Sequence, residues 1–127
     1  MRHGNLFVIS GPSGAGKGTL VARLLREVDD AWVSVSATTR APREGEEEGV
    51  NYFFKTRRQF MRMVKAGEFL EWAEYAGNCY GTPKQSVLDM VAKGLQVILE
   101  IEVQGAAQVK EAIPEAHMVF IEPPSLE

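Results

Sequence analysis

Between a short apolar run, Leu6 to Ser10, and a stretch with Leu20, Val21, Leu24, Leu25 and Val28 at i, i+1, i+4, i+5 and i+8 stands the segment Gly11-Pro12-Ser13-Gly14-Ala15-Gly16-Lys17. The run predicts a buried strand ended by glycine and proline, and the recurrence predicts one apolar face of a helix. A G-x-x-x-x-G-K segment joining strand to helix has a mechanism attached. Its glycines let successive backbone N–H groups point into one concavity, a nest for phosphate oxygens. The helix N-terminus adds its partial positive charge, and Lys17 supplies a point charge for β- and γ-phosphates. Gly11, Pro12, Ser13, Gly14, Ala15, Gly16, Lys17, Gly18 and Thr19 are therefore the candidate site for the phosphates of a nucleoside triphosphate. The motif normally continues with a Ser or Thr that ligates Mg²⁺, but Gly18 stands there and Thr19 follows. Either Thr19 supplies the hydroxyl one position later, or water fills the gap. A glycine-rich turn without a ligand is the bland alternative; the lysine, the spacing and both flanks argue against it.

Beyond the loop, Trp32 to Ser36 reads as a second strand, and residues 40–51, with proline, glycines and the acids Glu46-Glu47-Glu48, read as an exposed loop. Tyr52-Phe53-Phe54 is a short strand. Thr56 and Gln59 form a capping box ahead of Phe60, Met63 and Val64 and predict a helix start. The aromatic-rich segment Phe69 to Tyr75 predicts a strand. Thr82-Pro83-Lys84-Gln85 reads as another capping box, with proline at the first helical position. The helix it opens would turn Val87, Leu88 and Val91 inward and stop at Gly94. Val97 to Ile101 is a continuous apolar run, as a parallel strand buried on both faces requires. Ala106 to Ala112 reads as a short helix and Met118 to Ile121 as one more buried strand. Strands and helices alternate at both ends, which predicts an α/β architecture with a parallel central sheet and helices on its faces. Residues 37–82 read as a module inserted into a core formed by 1–36 and 83–127. Ser125, after Pro123-Pro124, is a good N-cap with only two residues behind it, so the sequence reads as stopping where a helix begins.

Composition narrows the function. With 45% hydrophobic and 24% charged residues the 127-residue chain is that of an ordinary soluble globular protein. Its formal net charge of -3 gives no general electrostatic reason to seek nucleic acid. The single cysteine, Cys79, rules out an intrachain disulfide and a zinc site built on several cysteines, and leaves a reducing cytoplasm as the default compartment. The apolar segment after Met1-Arg2-His3-Gly4-Asn5 is too short for a signal peptide or a membrane span.

A second constellation spans Ser34-Val35-Ser36-Ala37-Thr38-Thr39-Arg40-Ala41-Pro42-Arg43-Glu44-Gly45-Glu46. Two arginines three apart, with hydroxyls upstream and a proline fixing the turn, suit a phosphate dianion. They equally suit a solvated basic turn paired with its own glutamates, and the residues alone leave both readings open.

The phosphate-type loop, S-x-S-x-T-T-R-x-P-R-x-G-E and Gly49-Val50-Asn51-Tyr52-Phe53-Phe54 together resemble guanylate kinases. So do Glu68-Phe69-Leu70-Glu71-Trp72-Ala73, Gly77-Asn78-Cys79-Tyr80-Gly81-Thr82 and Leu99-Glu100-Ile101-Glu102-Val103-Gln104-Gly105. The resemblance runs across essentially the whole chain. It implies a three-layer P-loop nucleoside triphosphate hydrolase-like fold with an inserted GMP-binding module. It also implies transfer of the γ-phosphoryl group of ATP to GMP, with Mg²⁺, in purine nucleotide metabolism and GMP recycling. Ser36, Arg40, Arg43, Tyr52 and Tyr80 would hold the GMP phosphate; Lys17, Arg43 and Arg40 would assist transfer.

Glu71, Thr82 and Glu102 would read the guanine. An ionised carboxylate accepts from guanine N1–H and its amino group together, whereas adenine offers an unprotonated nitrogen there. Without the resemblance, Glu71 reads more readily as a surface carboxylate, and Tyr52 and Tyr80 as ordinary packing. Glu100, near the C-terminal end of its strand, resembles the acid that holds Mg²⁺ or its waters, with Thr19 as its partner. Glu102, two residues on, would point to the same side of the strand; aspartate is usual there, which leaves its contact with the base open. Guanylate kinases continue into a lid with further arginines, so the sequence reads as ending before that lid. Preference between GMP and dGMP, and oligomeric state, are not legible. A non-catalytic guanylate-kinase-like binding module is the competing reading, and the intact Gly16-Lys17 argues against it. A kinase for a different small acceptor is opposed by Glu71 with Ser36 and Thr82.

Overall fold

The computed structural model describes residues 3–12 and 16–122. Its elements run β1 (Asn5–Ser10), α1 (Lys17–Glu27), β2 (Ala31–Val33), β3 (Ala37–Thr38), β4 (Phe53–Phe54), α2 (Arg57–Lys65), β5 (Phe69–Tyr75), β6 (Asn78–Pro83), α3 (Lys84–Ala92), β7 (Gln96–Glu100), α4 (Val103–Ala112) and β8 (His117–Phe120). The chain is α/β and divides into two compact units, one formed by residues up to Ser34 and from Val87 onward, the other by Val35–Ser86.

The first unit holds a parallel sheet of order β2-β7-β1-β8. Alternation along the strands turns Ile9 and Ile98 to one face, where Val21, Leu20 and Leu24 of α1 cover them. Leu6, Val8, Val97 and Leu99 turn to the other face and are equally buried. Burial on both faces explains why β1 and β7 read as unbroken apolar runs; each such side chain contributes about 1.5–3 kcal/mol. Leu25, expected on the inward face of α1, is exposed. The strand expected at Trp32 to Ser36 is shorter, as β2 ends at Val33, though the Ser34 N–H still donates to the Ile98 carbonyl. β8, expected to be buried, is exposed along all four residues. It pairs on one side only, with β1, and forms the edge of the described sheet.

The second unit holds a mixed sheet of order β4-β3-β6-β5, with β3–β4 parallel and β3–β6 and β5–β6 antiparallel. Helix α2 starts where its capping box stands. Thr56 Oγ1 accepts from the Gln59 N–H and Gln59 Oε1 from the Thr56 N–H, worth on the order of 1 kcal/mol to the helix. Fully buried Phe60 then packs on Ala37 and Cys79, with Phe53, Phe69 and Trp72 around them. Phe69 stacks on Phe60 at 4.5 Å between ring centroids and lies so close over Gly81 that a Cβ there would sit 2.8 Å from the Phe69 ring.

The second expected capping box does not form. Thr82 and Pro83 complete β6, α3 begins at Lys84, and the Lys84 N–H donates to the Glu68 carbonyl. Val87 is buried as expected, but Leu88 is exposed. α4 begins at Val103, three residues earlier than its apolar pattern indicates.

Candidate active site

β1 delivers the chain to Gly11, whose φ of 145° suits glycine and whose missing Cβ would lie 2.3 Å from the Ile121 carbonyl oxygen. The Ile121 N–H donates to the Ser10 carbonyl, fixing the start of the loop against the end of β8. Pro12 follows, exposed; Ser13, Gly14 and Ala15 lie outside the described residues. Gly16, left-handed at φ 101°, is the N-cap of α1, so the first N–H groups of the helix have no intrahelical partner. Lys17 is the first helical residue and is only 9% exposed. Its ammonium stands 3.9 Å from Glu102 Oε1, an ion pair too long for a hydrogen bond. Around Gly18 a Cβ would meet nothing within 4 Å, so sterics do not require glycine at the usual hydroxyl position, and Thr19 beside it is exposed.

Glu100 ends β7 and is exposed, opposite Ile9 in the register with β1. Glu102 was expected to point to the same side of that strand. The strand stops at Glu100, Ile101 turns its N–H to the Ile9 carbonyl, and Glu102 becomes the N-cap of α4. It belongs to the first unit with Lys17, whereas Glu71 and Thr82 belong to the second.

In the second unit the strand register separates an apolar face from a polar one. Glu71 pairs with Thr82, Ala73 with Tyr80, and Thr38 with Tyr80, placing Thr38, Glu71, Tyr80 and Thr82 on one face, while Ala37, Trp72 and Cys79 pack towards Phe60. Glu71 is only 7% exposed and Thr82 fully buried. The Thr82 hydroxyl donates to Glu71 Oε1 at 3.2 Å. Burial pushes the Glu71 carboxyl up to about 7, against the pull of that hydrogen bond. A carboxyl kept from water with so little compensation is atypical of a structural residue.

Tyr80, on the same face as Glu71, borders Arg40. Arg40 follows β3, held there by two hydroxyls. Thr38 Oγ1 donates to the Cys79 carbonyl and accepts from the Arg40 N–H, while Thr39 Oγ1 accepts from the Cys79 N–H. The Arg40 guanidinium lies 5.1 Å from the centroid of the Tyr52 ring, and Tyr52 and Tyr80 approach to 6.1 Å. Ser36 sits just before β3, its carbonyl accepting from the Phe53 N–H. Glu46, not singled out from the sequence, accepts from Arg40 Nη1 and Nη2 at 3.0 Å each. Arg43 is exposed, and among the described residues no ion pair holds its side chain.

Residues 3–127 match the guanylate kinase family model. The chain belongs to the guanylate kinase family. It is 57% identical over 120 residues to the guanylate kinase of Synechococcus sp. strain CC9311, an alignment covering 94% of this chain and 63% of that one. To the guanylate kinase of Clostridioides difficile strain 630 it is 54% identical over 127 residues, covering 62% of that relative. The crystal structure of guanylate kinase from Anaplasma phagocytophilum superposes with a TM-score of 0.81 at 40% identity, covering 98% of this chain and 63% of that one. The chain thus spans a little over three fifths of the length of these guanylate kinases.

Of the residues that the resemblance singles out, this guanylate kinase family chain brings Arg40, Tyr52 and Tyr80 together, and separately Glu71 with Thr82. Glu46 was hidden in a run of acids read as solvated. The signal that could have found it is the alternative reading of the arginine turn as paired with its own glutamates. No described helix is long and apolar enough to cross a membrane.

Proposed function

We propose that the chain carries the nucleotide sites of an ATP:GMP phosphotransferase working in a reducing cytoplasm on GMP recycling. The observation that carries the reading is the buried Glu71 carboxylate, bonded to Thr82 and sharing its face with Tyr80. Guanine N1–H and its amino group donate side by side to one ionised carboxylate. Adenine leaves that carboxylate facing an acceptor, and sites built around such bonds reject the wrong partner by about 10⁴-fold. Arg40, Arg43, Tyr52, Tyr80 and Ser36 receive the GMP phosphate, and Glu102 is a further candidate for the base.

Gly11 through Thr19, Ser13, Gly14 and Ala15 among them, are the segment proposed to bind the phosphates of ATP, with Lys17 neutralising charge on the β- and γ-oxygens. Mg²⁺ keeps several waters and needs only one or two protein oxygens beside the phosphates; the exposed Thr19 and Glu100 offer a hydroxyl and a carboxylate. The ion would supply charge neutralisation on the transferring phosphoryl group. Transfer needs a GMP phosphate oxygen in line with the γ-phosphorus; Lys17 of the first unit, and Arg43 and Arg40 of the second, are the cations proposed to assist it.

The test is to incubate the protein with ATP, Mg²⁺ and GMP and quantify nucleotides by chromatography. ADP and GDP are expected in equal amounts. ADP without GDP, or neither product, contradicts the reading.

A further inference from the structure

We propose that Glu46 is a positioning residue for phosphate binding: it locks the Arg40 guanidinium so that one edge of it is presented to the nucleotide phosphate. The inference rests on the reading above that a nucleotide phosphate binds at Arg40. Arg40 has five N–H donors. Three are spoken for: Nη1 donates to the Ala41 carbonyl at 3.1 Å and to Glu46 Oε1 at 3.0 Å, and Nη2 donates to Glu46 Oε2 at 3.0 Å. The other two, Nε–H and the second Nη2–H, lie on the same edge of the guanidinium and point the same way, and Tyr52 and Tyr80 also hydrogen-bond to the Arg40 side chain. With the tyrosine hydroxyls beside it, that edge is a fork for two phosphate oxygens.

The carboxylate that sets this orientation is itself fixed. Glu46 Oε1 also accepts from the Arg43 N–H at 2.8 Å, and the Glu46 N–H donates to the Arg43 carbonyl at 3.0 Å, closing the turn that carries both arginines. Tyr52 packs against the guanidinium and limits its rotation. Both side chains of the pair are largely buried, at 12% and 18% exposure, unlike a surface ion pair. Arg40 first, then the Arg43 N–H, hold the Glu46 carboxyl at about 2, so the pair persists wherever the protein works. A phosphate cannot take Glu46's place without also undoing the turn at Arg43. Charge compensation by Glu46 leaves the guanidinium of Arg43 as the uncompensated cation of the turn.

Calorimetric titration of GMP and of guanosine into the protein and its variants E46A, E46Q, R40A and E46A/R40A tests this. E46Q keeps an acceptor for the Arg43 N–H while disrupting the fork, which guards against simple collapse of the turn in E46A. Both Glu46 variants are expected to weaken GMP at least about tenfold, the scale of a charged hydrogen bond, and to leave guanosine affinity unchanged. The double variant should bind GMP no more weakly than R40A alone, since Glu46 acts only through Arg40. Unchanged or tighter GMP binding in the Glu46 variants, with R40A impaired, overturns the proposal and makes Glu46 a bystander or competitor. Additive losses in the double variant, or an equal loss for guanosine, overturn it too. R40A binding GMP normally would overturn the phosphate site itself, and the proposal with it.

Discussion

Glu71 and Thr82 face each other across β5 and β6, and the Thr82 hydroxyl donates to Glu71 Oε1 at 3.2 Å inside a site almost closed to water. Burial dominates that hydrogen bond and raises the carboxyl from the ordinary 4.5 to about 7. A raised carboxyl means that the folded chain holds the proton more tightly than the unfolded chain. Its stabilising contribution is complete below about pH 4.5 and is lost as pH rises through about 7. Chemical denaturation should therefore show stability falling by on the order of 3 kcal/mol over that window. Glu71→Gln, which cannot titrate, should show a flatter profile and exceed the parent above neutrality. Parallel profiles for the two proteins would refute the assignment.

The same carboxyl should set the pH dependence of base recognition. Only its ionised form accepts two hydrogen bonds from guanine, so guanosine, which carries no phosphate to titrate, should bind more tightly as pH rises through about 7. Thr82→Val removes the donor that pulls the carboxyl down and should move that midpoint upward. A midpoint that does not respond to Thr82→Val would separate Thr82 from the carboxyl's chemistry.

Much of this was legible along the chain because the signals are local. β1 and β7 announce themselves as apolar runs, and α2 begins where Thr56 and Gln59 can cap each other across a single turn. Thr82 carries the same local signature but is used differently, because a partner eleven residues away, Glu71, claims its hydroxyl. β6 was missed because Gly77 and Gly81 bracket a segment that reads as a turn; Gly81 is there for the Phe69 ring lying on it. β3 is only two residues long and exists through pairing with β4 and β6. At the site, the spacing of Arg40 and Arg43 was visible. The burial of Glu71 and the capture of Arg40 by Glu46 depend on tertiary placement.

Gly81→Ala should destabilise the protein by about 1–3 kcal/mol, because the new methyl group would meet the Phe69 ring at 2.8 Å and that ring is stacked on Phe60. Urea denaturation measures it. A neutral effect would mean that Phe69 can move without disturbing Phe60.

Lys17→Ala should abolish measurable ATP binding and leave GMP affinity nearly unchanged, since Lys17 belongs to one unit and Arg40, Tyr52, Tyr80 and Glu71 to the other. Titration of each nucleotide, beside a thermal melt to confirm folding, reads this out. Equal loss of both nucleotides in a folded variant would contradict separate sites.

The most direct measurement is calorimetric titration of GMP and AMP into the same protein above neutral pH, where Glu71 is ionised. GMP should bind more tightly by up to about 10⁴-fold, because adenine leaves the buried carboxylate facing an acceptor. Equal affinities for GMP and AMP would contradict guanine recognition by Glu71.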